Sequence, residues 1–345
     1  MKGSFFMGPR HTPGFEIREM TMPEPGAHDV LVKNMACGVC GTDIHIYHGE
    51  KDSAEVTPPV VLGHEYSGIV EKIGDKVTTL RPGDRVAIDP NRYCGICRPC
   101  RMGRKQNCQN LYALGVNTNG GFAEYSIVPE AQCYKINDDI DFDVAAMAEP
   151  LSCVIHGIDQ ADIRPGQTVA VIGGGAIGLL MVQMAKLSGA SVVVLSEPIS
   201  LRRQIGLEVG ADFSVDPFTE DIQEKMAQYT GRTGADVVIE CVGRPNAAQQ
   251  ALQLADMGAT VLLFGVPPVD AAIPLPLFDV FSKELRIIGS RINPDTHQRA
   301  VGLISSGKLE IRKLITHTFR LEQLEQALHM QMSSDSIKVI VHPHD

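Results

Sequence analysis

Cys94, Cys97, Cys100 and Cys108 fall in the stretch CGICRPCRMGRKQNC, spaced C-x2-C-x2-C-x7-C. Four thiolates on one short loop satisfy the closed tetrahedral shell that structural zinc prefers. An iron–sulfur cluster is the rival for thiolate-only ligation, but no proline follows the fourth cysteine and no second cluster motif exists. Zinc is therefore the expectation, and a closed shell leaves it no open position for chemistry.

A second strip, CGVCGTDIH at residues 37–45, holds two cysteines, an aspartate and a histidine. It could be a redox pair, half of a zinc knuckle, or a strip in which one cysteine alone is reactive. Cys40, the pair His64-Glu65 in GHEYSG, and Glu149 in AEPLSC make a mixed sulfur, nitrogen and oxygen set. Catalytic zinc uses such sets, with three protein ligands and one position left for water or substrate. Spacing alone does not join these segments, since a lone Gly-His-Glu is equally a turn.

A third constellation is Gly173-Gly174-Gly175-Ala176-Ile177-Gly178, which matches G-x-G-x-x-G straight after a strand pattern and opening a helix pattern. Gly173 permits a tight turn, Gly175 lets backbone approach a pyrophosphate, and Gly178 allows close helix–strand packing. Free N–H groups at the helix start favour phosphate. Glu197 ends the next strand pattern, where an acid grips adenosine ribose hydroxyls and repels a 2′-phosphate. That favours NAD over NADP, although Arg202 and Arg203 just beyond could welcome a phosphate.

Two kinds of element must position these residues. Residues 1–148 are rich in Gly, Pro and short β-type runs: DVLVKNMAC, YSGIVEKIG, DRVAI and GFAEYSIVP each read as a strand between turn residues. From Leu151 strands and helices alternate. TVAVIG, SVVVLSE, DVVIECVG, TVLLFGV and LRIIGS are strand runs, and LLMVQMAKLSGA and RRQIGLEVGAD are helical. That alternation predicts an α/β, doubly wound parallel sheet of the Rossmann type. The tail adds two helices, THQRAVGLISSG and LEQLEQALHM, and a last strand, SIKVIVH.

Composition narrows the function classes. The net charge is −10, from 41 acids against 31 bases, and no basic block stands out, which argues against nucleic acid and anionic membrane as partners. No apolar run reaches transmembrane length, and no signal-peptide pattern opens the chain. Nine cysteines in that setting read as metal ligands and thiols, so cytoplasm is the expected compartment.

The motifs GVCGTDIH, GHEYSG, GDRVAI, the four-cysteine loop, GGFAEY, AEPLSC and GGGAIG occur in the order found in medium-chain zinc-dependent dehydrogenases. The chain resembles that family along essentially its whole length, most of all the polyol branch typified by sorbitol dehydrogenase, with threonine dehydrogenase a near neighbour. The resemblance implies a GroES-like catalytic domain at 1–148 completed by 290–345, and a Rossmann domain at 149–289. It implies two zinc ions per chain. Cys40 and His64 match catalytic-zinc ligands, and Glu65 and Glu149 match carboxylates that trade places at that metal. Asp43 matches the residue that orients the histidine ligand, a role its chemistry suits. Thr42 and His45 match a relay in which the proton leaves through a hydroxyl, the nicotinamide ribose and an imidazole. Ala176, Ile177 and Val266 join the glycines at the cofactor, and Glu197 with Arg202 holds the adenosine ribose.

The activity so implied is hydride transfer from a secondary alcohol of a polyol or sugar-derived substrate to NAD. Arg291 matches an arginine set against the polyol chain. Ile46 stands where sorbitol dehydrogenase has a substrate-contacting tyrosine, which leaves a sugar acid, a 2,3-diol or L-threonine open. Relatives are dimers or tetramers, so a homo-oligomer is expected, with the LRIIGS region as a contact. The competing class is a zinc-stabilised, dinucleotide-binding redox sensor that uses Cys37 and Cys40. Cys37 in the enzyme reading is a packing residue, as are Cys133, Cys153 and Cys241.

Overall fold

A computed structural model describes residues 1–9, 14–50 and 56–345. The chain divides into two compact units, Met1–Ser152 with Asn293–Asp345, and Cys153–Ile292.

The first unit is β-rich. Its main sheet has seven strands, running Cys133–Lys135, Arg85–Ile88, Glu65–Ile73, Asp29–Gly38, Lys338–His342 and Ile315–Arg320, with Tyr125–Pro129 paired to Asp29–Gly38. The two strands from the chain's tail are therefore part of this sheet, and Val341 lies opposite Cys37. A smaller sheet orders Phe15–Glu19, Lys2–Phe6 and Val60–Val61. Alternating apolar residues explain the layering: Val30, Val32, Val70, Val86, Val339 and Val341 all turn into one core with Phe6 and Phe122. Each such buried aliphatic contributes roughly 1.5–3 kcal/mol.

Several helices escaped the strand-dominated reading, two of them carrying candidate site residues. Gly41–His48 carries the second half of the CGVCGTDIH strip, and Ala148–Ala161 carries Glu149 in its first turn. The first is only eight residues long, too short for a period to show. The expected strand GFAEYSIVP is strand only over Tyr125–Pro129.

The second unit is a six-stranded parallel sheet ordered Phe213–Val215, Val192–Ser196, Thr168–Ile172, Ala235–Glu240, Ala255–Leu263 and Arg286–Gly289. In chain order that is 3-2-1-4-5-6, the doubly wound arrangement whose order reverses beside the first strand. Its central strand, TVAVI, is buried along its whole length, which is why it reads as a continuous apolar run without alternation.

Candidate functional site

In the first unit, the end of the strand Asp29–Gly38 and the start of the helix Gly41–His48 deliver Cys40 as the helix N-cap residue. His64 and Glu65 stand at the head of the adjacent strand Glu65–Ile73, where Gly38 lies opposite Glu65. One donor atom each from Cys40, His64 and Glu65 lies within 4.8 Å of the others. The structure thus gathers a sulfur, a nitrogen and an oxygen from segments that share no local sequence signal.

Asp43 supports this cluster from the first turn of its helix. One carboxylate oxygen accepts from the Cys40 backbone N–H at 2.9 Å, and the other faces His64 Nδ1 at 3.7 Å. Both of those atoms are buried, and neither has a hydrogen-bond partner among the described residues.

Electrostatics mark the pocket as short of positive charge. Burial opposes a charged His64, but Cys40, Asp43 and Glu149 outweigh it and hold the imidazole well above its ordinary value. Burial, reinforced by Glu65, raises the Cys40 thiol, and burial raises Asp43. A cation replacing protons on this donor set relieves both effects, so the residues fit a zinc ion. Glu149 is buried nearby and acts on His64 electrostatically, but it is not one of the three clustered donors.

Sequence reasoning missed Lys338. It is 3% exposed and donates to Glu65 Oε2 and, at 2.9 Å, to the Val39 carbonyl. Burial pulls the ammonium's pKa down, yet Glu65 and Cys40 more than offset that. A lone lysine inside the apolar strand run SIKVIVH was the available signal. Ile46, at the position where sorbitol dehydrogenase has a substrate-contacting tyrosine, packs in the core at 5% exposure.

Thr42 lies in the first turn of the Gly41–His48 helix and is partly exposed, and His45 follows one turn later. His45 Nδ1 pairs with Glu50 at 2.6 Å. Cys37 is fully buried and its thiol is pushed far up by burial, which removes the thiolate that a redox pair needs. Cys133, Cys153 and Cys241 remain partly exposed, so they are less deeply packed than expected.

The four-cysteine loop closes on itself. One atom each of Cys94, Cys97, Cys100 and Cys108 lies within 4.8 Å of the rest. Backbone N–H groups of Cys97 and Ile96 hold the Cys94 thiol down to about 6, and those of Cys100 and Gln109 lower the Cys97 thiol, while burial and the neighbouring thiols push Cys100 up to about 12. Thiolates stabilised by amides are what a metal shell requires.

In the second unit, the glycine turn joins the strand Thr168–Ile172 to the helix Ala176–Leu187. Gly173 has φ +97°, a left-handed value that favours glycine. A side chain at Gly178 would strike the Gly173 carbonyl, whereas one at Gly175 would meet nothing within 4 Å. Gly175 is the helix N-cap, so the space before it faces free amide groups. Glu197 is 3% exposed and accepts from Gly174 N at 2.6 Å and Ile199 N at 2.8 Å. Arg203 donates to the carbonyls of Glu197 and Pro198 and pairs with Asp216, which commits it to this turn. Val266 is exposed, with its backbone against Gly243. Arg291, exposed, follows the strand Arg286–Gly289.

Comparison with known proteins matches residues 26–138 to the alcohol dehydrogenase GroES-like domain and residues 176–306 to the zinc-binding dehydrogenase domain. The chain is 36% identical over 331 residues to L-threonine 3-dehydrogenase of Pyrococcus horikoshii, covering 95% of this chain and 94% of that one. It is 42% identical, with a TM-score of 0.94 over 99% of both chains, to a protein from Sinorhizobium meliloti 1021 described as a zinc-binding dehydrogenase and solved with NADP. L-idonate 5-dehydrogenase from Escherichia coli shares 27% identity and a TM-score of 0.89, over 99% of this chain and 98% of that one.

Proposed function

Because this chain belongs to the medium-chain, zinc-binding alcohol dehydrogenase family, we propose that it oxidises a secondary alcohol whose neighbouring carbon carries a hydroxyl or amino group. It is an oxidoreductase acting on CH–OH donors with a nicotinamide cofactor. Polyols, sugar acids, 2,3-diols and L-threonine all meet that description. Similarity to a threonine dehydrogenase and to an idonate dehydrogenase supports it from two sides. The observation that carries the reading is the gathering of Cys40, His64 and Glu65 around one point.

In this reading Cys40 and His64 hold a catalytic zinc, with Glu65 or Glu149 as the carboxylate, and the four-cysteine loop holds a structural one. When bound, the zinc would supply Lewis acidity to the alcohol oxygen and the nicotinamide an acceptor for the hydride. Asp43 fixes the tautomer of His64. The Thr42 hydroxyl receives the substrate proton, and His45 passes it to solvent. Arg291 offers a fork of donors suited to hydroxyls or a carboxylate. The first unit acts as the catalytic domain. The second binds the cofactor through Gly173, Gly175, Ala176, Ile177, Gly178 and Val266, with Glu197 and Arg202 on the ribose. The buried Glu197 carboxylate favours NAD.

The strand Arg286–Gly289 is an edge of its sheet, and Leu277, Phe278 and Phe281 just before it are 73–79% exposed. Pairing with a second copy would cover both, which supports a homo-oligomer. Cysteines gathered in metal-type clusters suit a reducing compartment, and the cytoplasm is the one proposed. No helix among the described residues is long and apolar enough to cross a membrane.

The test is a screen of NAD and NADP reduction over polyols, sugar acids, diols and threonine, with zinc quantified in the same preparation. Turnover of a vicinally substituted secondary alcohol with two zincs per chain is the expected result. Turnover of simple primary alcohols alone would overturn the substrate class.

A further inference from the structure

The helix Gly41–His48 ends in a way that brings one acid onto one histidine. Gly49 takes the left-handed conformation (φ +68°, ψ 31°) and its N–H bonds back to the carbonyls of His45 and Ile46. Glu50 N–H then donates to the same His45 carbonyl at 2.9 Å. This αL turn reverses the chain, and the Glu50 side chain reaches His45 Nδ1 at 2.6 Å. Both side chains are partly exposed, at 33% and 52%. Among the described residues, the other titratable side chains on this helix end are engaged elsewhere. His48 contacts Met332 Sδ at 3.3 Å, and Tyr47 lies between Phe15 and His329.

We infer that Glu50 is a positioning residue for proton release, acting through His45. This rests on the proposed role of His45 as the last carrier of the substrate proton. A neutral imidazole has one N–H and one lone pair, and the partner of one nitrogen decides which is which. With Nδ1–H donated to the Glu50 carboxylate, Nε2 keeps the lone pair. Nε2 takes the arriving proton, and the carboxylate stabilises the imidazolium. Water at the exposed edge then removes that proton, restoring the Nδ1–H tautomer. Glu50 itself gains and loses nothing, so it orients the imidazole as the aspartate orients the histidine of a hydrolase triad.

Two measurements test this. Imidazole 15N shifts of the zinc-loaded protein report the tautomer directly, without turnover. The expected result is a protonated Nδ1 at His45 in the wild type and a shift toward the Nε2–H form in E50A. Alcohol oxidation is then followed from pH 6 to 9 in wild type, E50A, E50D, H45Q and H45Q/E50A. E50A should lower kcat on the order of tenfold at neutral pH with KM for cofactor unchanged, E50D should restore part of it, and H45Q/E50A should match H45Q. An equal loss on adding E50A to H45Q, or an unchanged tautomer in E50A, overturns the role of Glu50. Full kcat in H45Q would instead overturn the relay itself, and the inference with it.

Discussion

Lys338 and Glu65 lie 273 residues apart in the chain, yet they form a buried ion pair beside the metal-type cluster. Lysine enters from the last strand and glutamate from the strand Glu65–Ile73, both in the seven-stranded sheet. Gly38 makes room for the pair, because a side chain there would strike both the Glu65 carboxylate and Lys338 Cε. The same carboxylate that meets Lys338 also supplies an oxygen to the cluster with Cys40 and His64.

Removing that ammonium strands a buried carboxylate. Lys338→Met should cost about 3–5 kcal/mol of stability, read as a lower midpoint in urea unfolding. Zinc content should respond as well, since the freed carboxylate loses its orientation. A midpoint equal to wild type would show that the pair contributes nothing.

The two cysteines of the 37–45 strip should part company. Cys40→Ser should lose one zinc per chain and all but residual activity, by elemental analysis and assay. Cys37→Ser should retain both zincs. It places a hydroxyl in a fully buried site, so it should lose about 1–3 kcal/mol of stability. Loss of zinc in Cys37→Ser would restore the case for a cysteine pair.

Cys97→Ser should open the four-cysteine shell and remove the other zinc. Metal binding to such loops is coupled to their folding, so proteolysis within residues 94–108 should accelerate while the remaining zinc stays bound. Retention of two zincs would refute the shell.

Cofactor preference should turn on Glu197. Glu197→Ser removes the carboxylate proposed to repel a 2′-phosphate, and kcat/KM should shift toward NADP by on the order of tenfold or more, since one charge contact is worth about 1.5–3 kcal/mol. An unchanged NAD/NADP ratio would locate the discrimination elsewhere.

Two histidines give stability opposite pH dependences. His297 is fully buried, with neither ring nitrogen hydrogen-bonded among the described residues. Burial holds its pKa down at about 3. Between the unfolded value near 6.5 and that limit, only the unfolded chain binds the proton. Stability therefore falls by up to about 1.4 kcal/mol per pH unit below 6.5, and His297→Leu should flatten that slope. His342 behaves in the reverse sense. Its bond to Asp143 at 2.7 Å raises its pKa, so its contribution is present below about pH 6.5 and lost as pH rises through the raised value. The stability difference between wild type and His342→Gln should be larger at pH 6 than at pH 9.

The second unit was the more legible half. Its strands are short apolar runs such as TVAVI and VVVLS, punctuated by glycine, and the strand–turn–helix around Gly173 to Gly178 carries its reasons within six residues. The first unit was legible as strands but not as a site. The helix Gly41–His48 is too short to show a period. Whether Ile46 met substrate or core depended on packing against residues far away in the chain, and the core holds it.

What the chain alone determined was local: the alternation that makes one sheet parallel, the glycine turn, the cysteine spacing of a closed shell, and the residue types able to bind zinc. These follow from periodicity and from reach along a few residues of backbone. Tertiary structure decided the rest. It set donor atoms of Cys40, His64 and Glu65 within 4.8 Å of one another, placed Lys338 against Glu65 through strand register, and turned Glu50 back onto His45 through a left-handed glycine. Burial and register depend on which strands meet, and no local pattern contains that information.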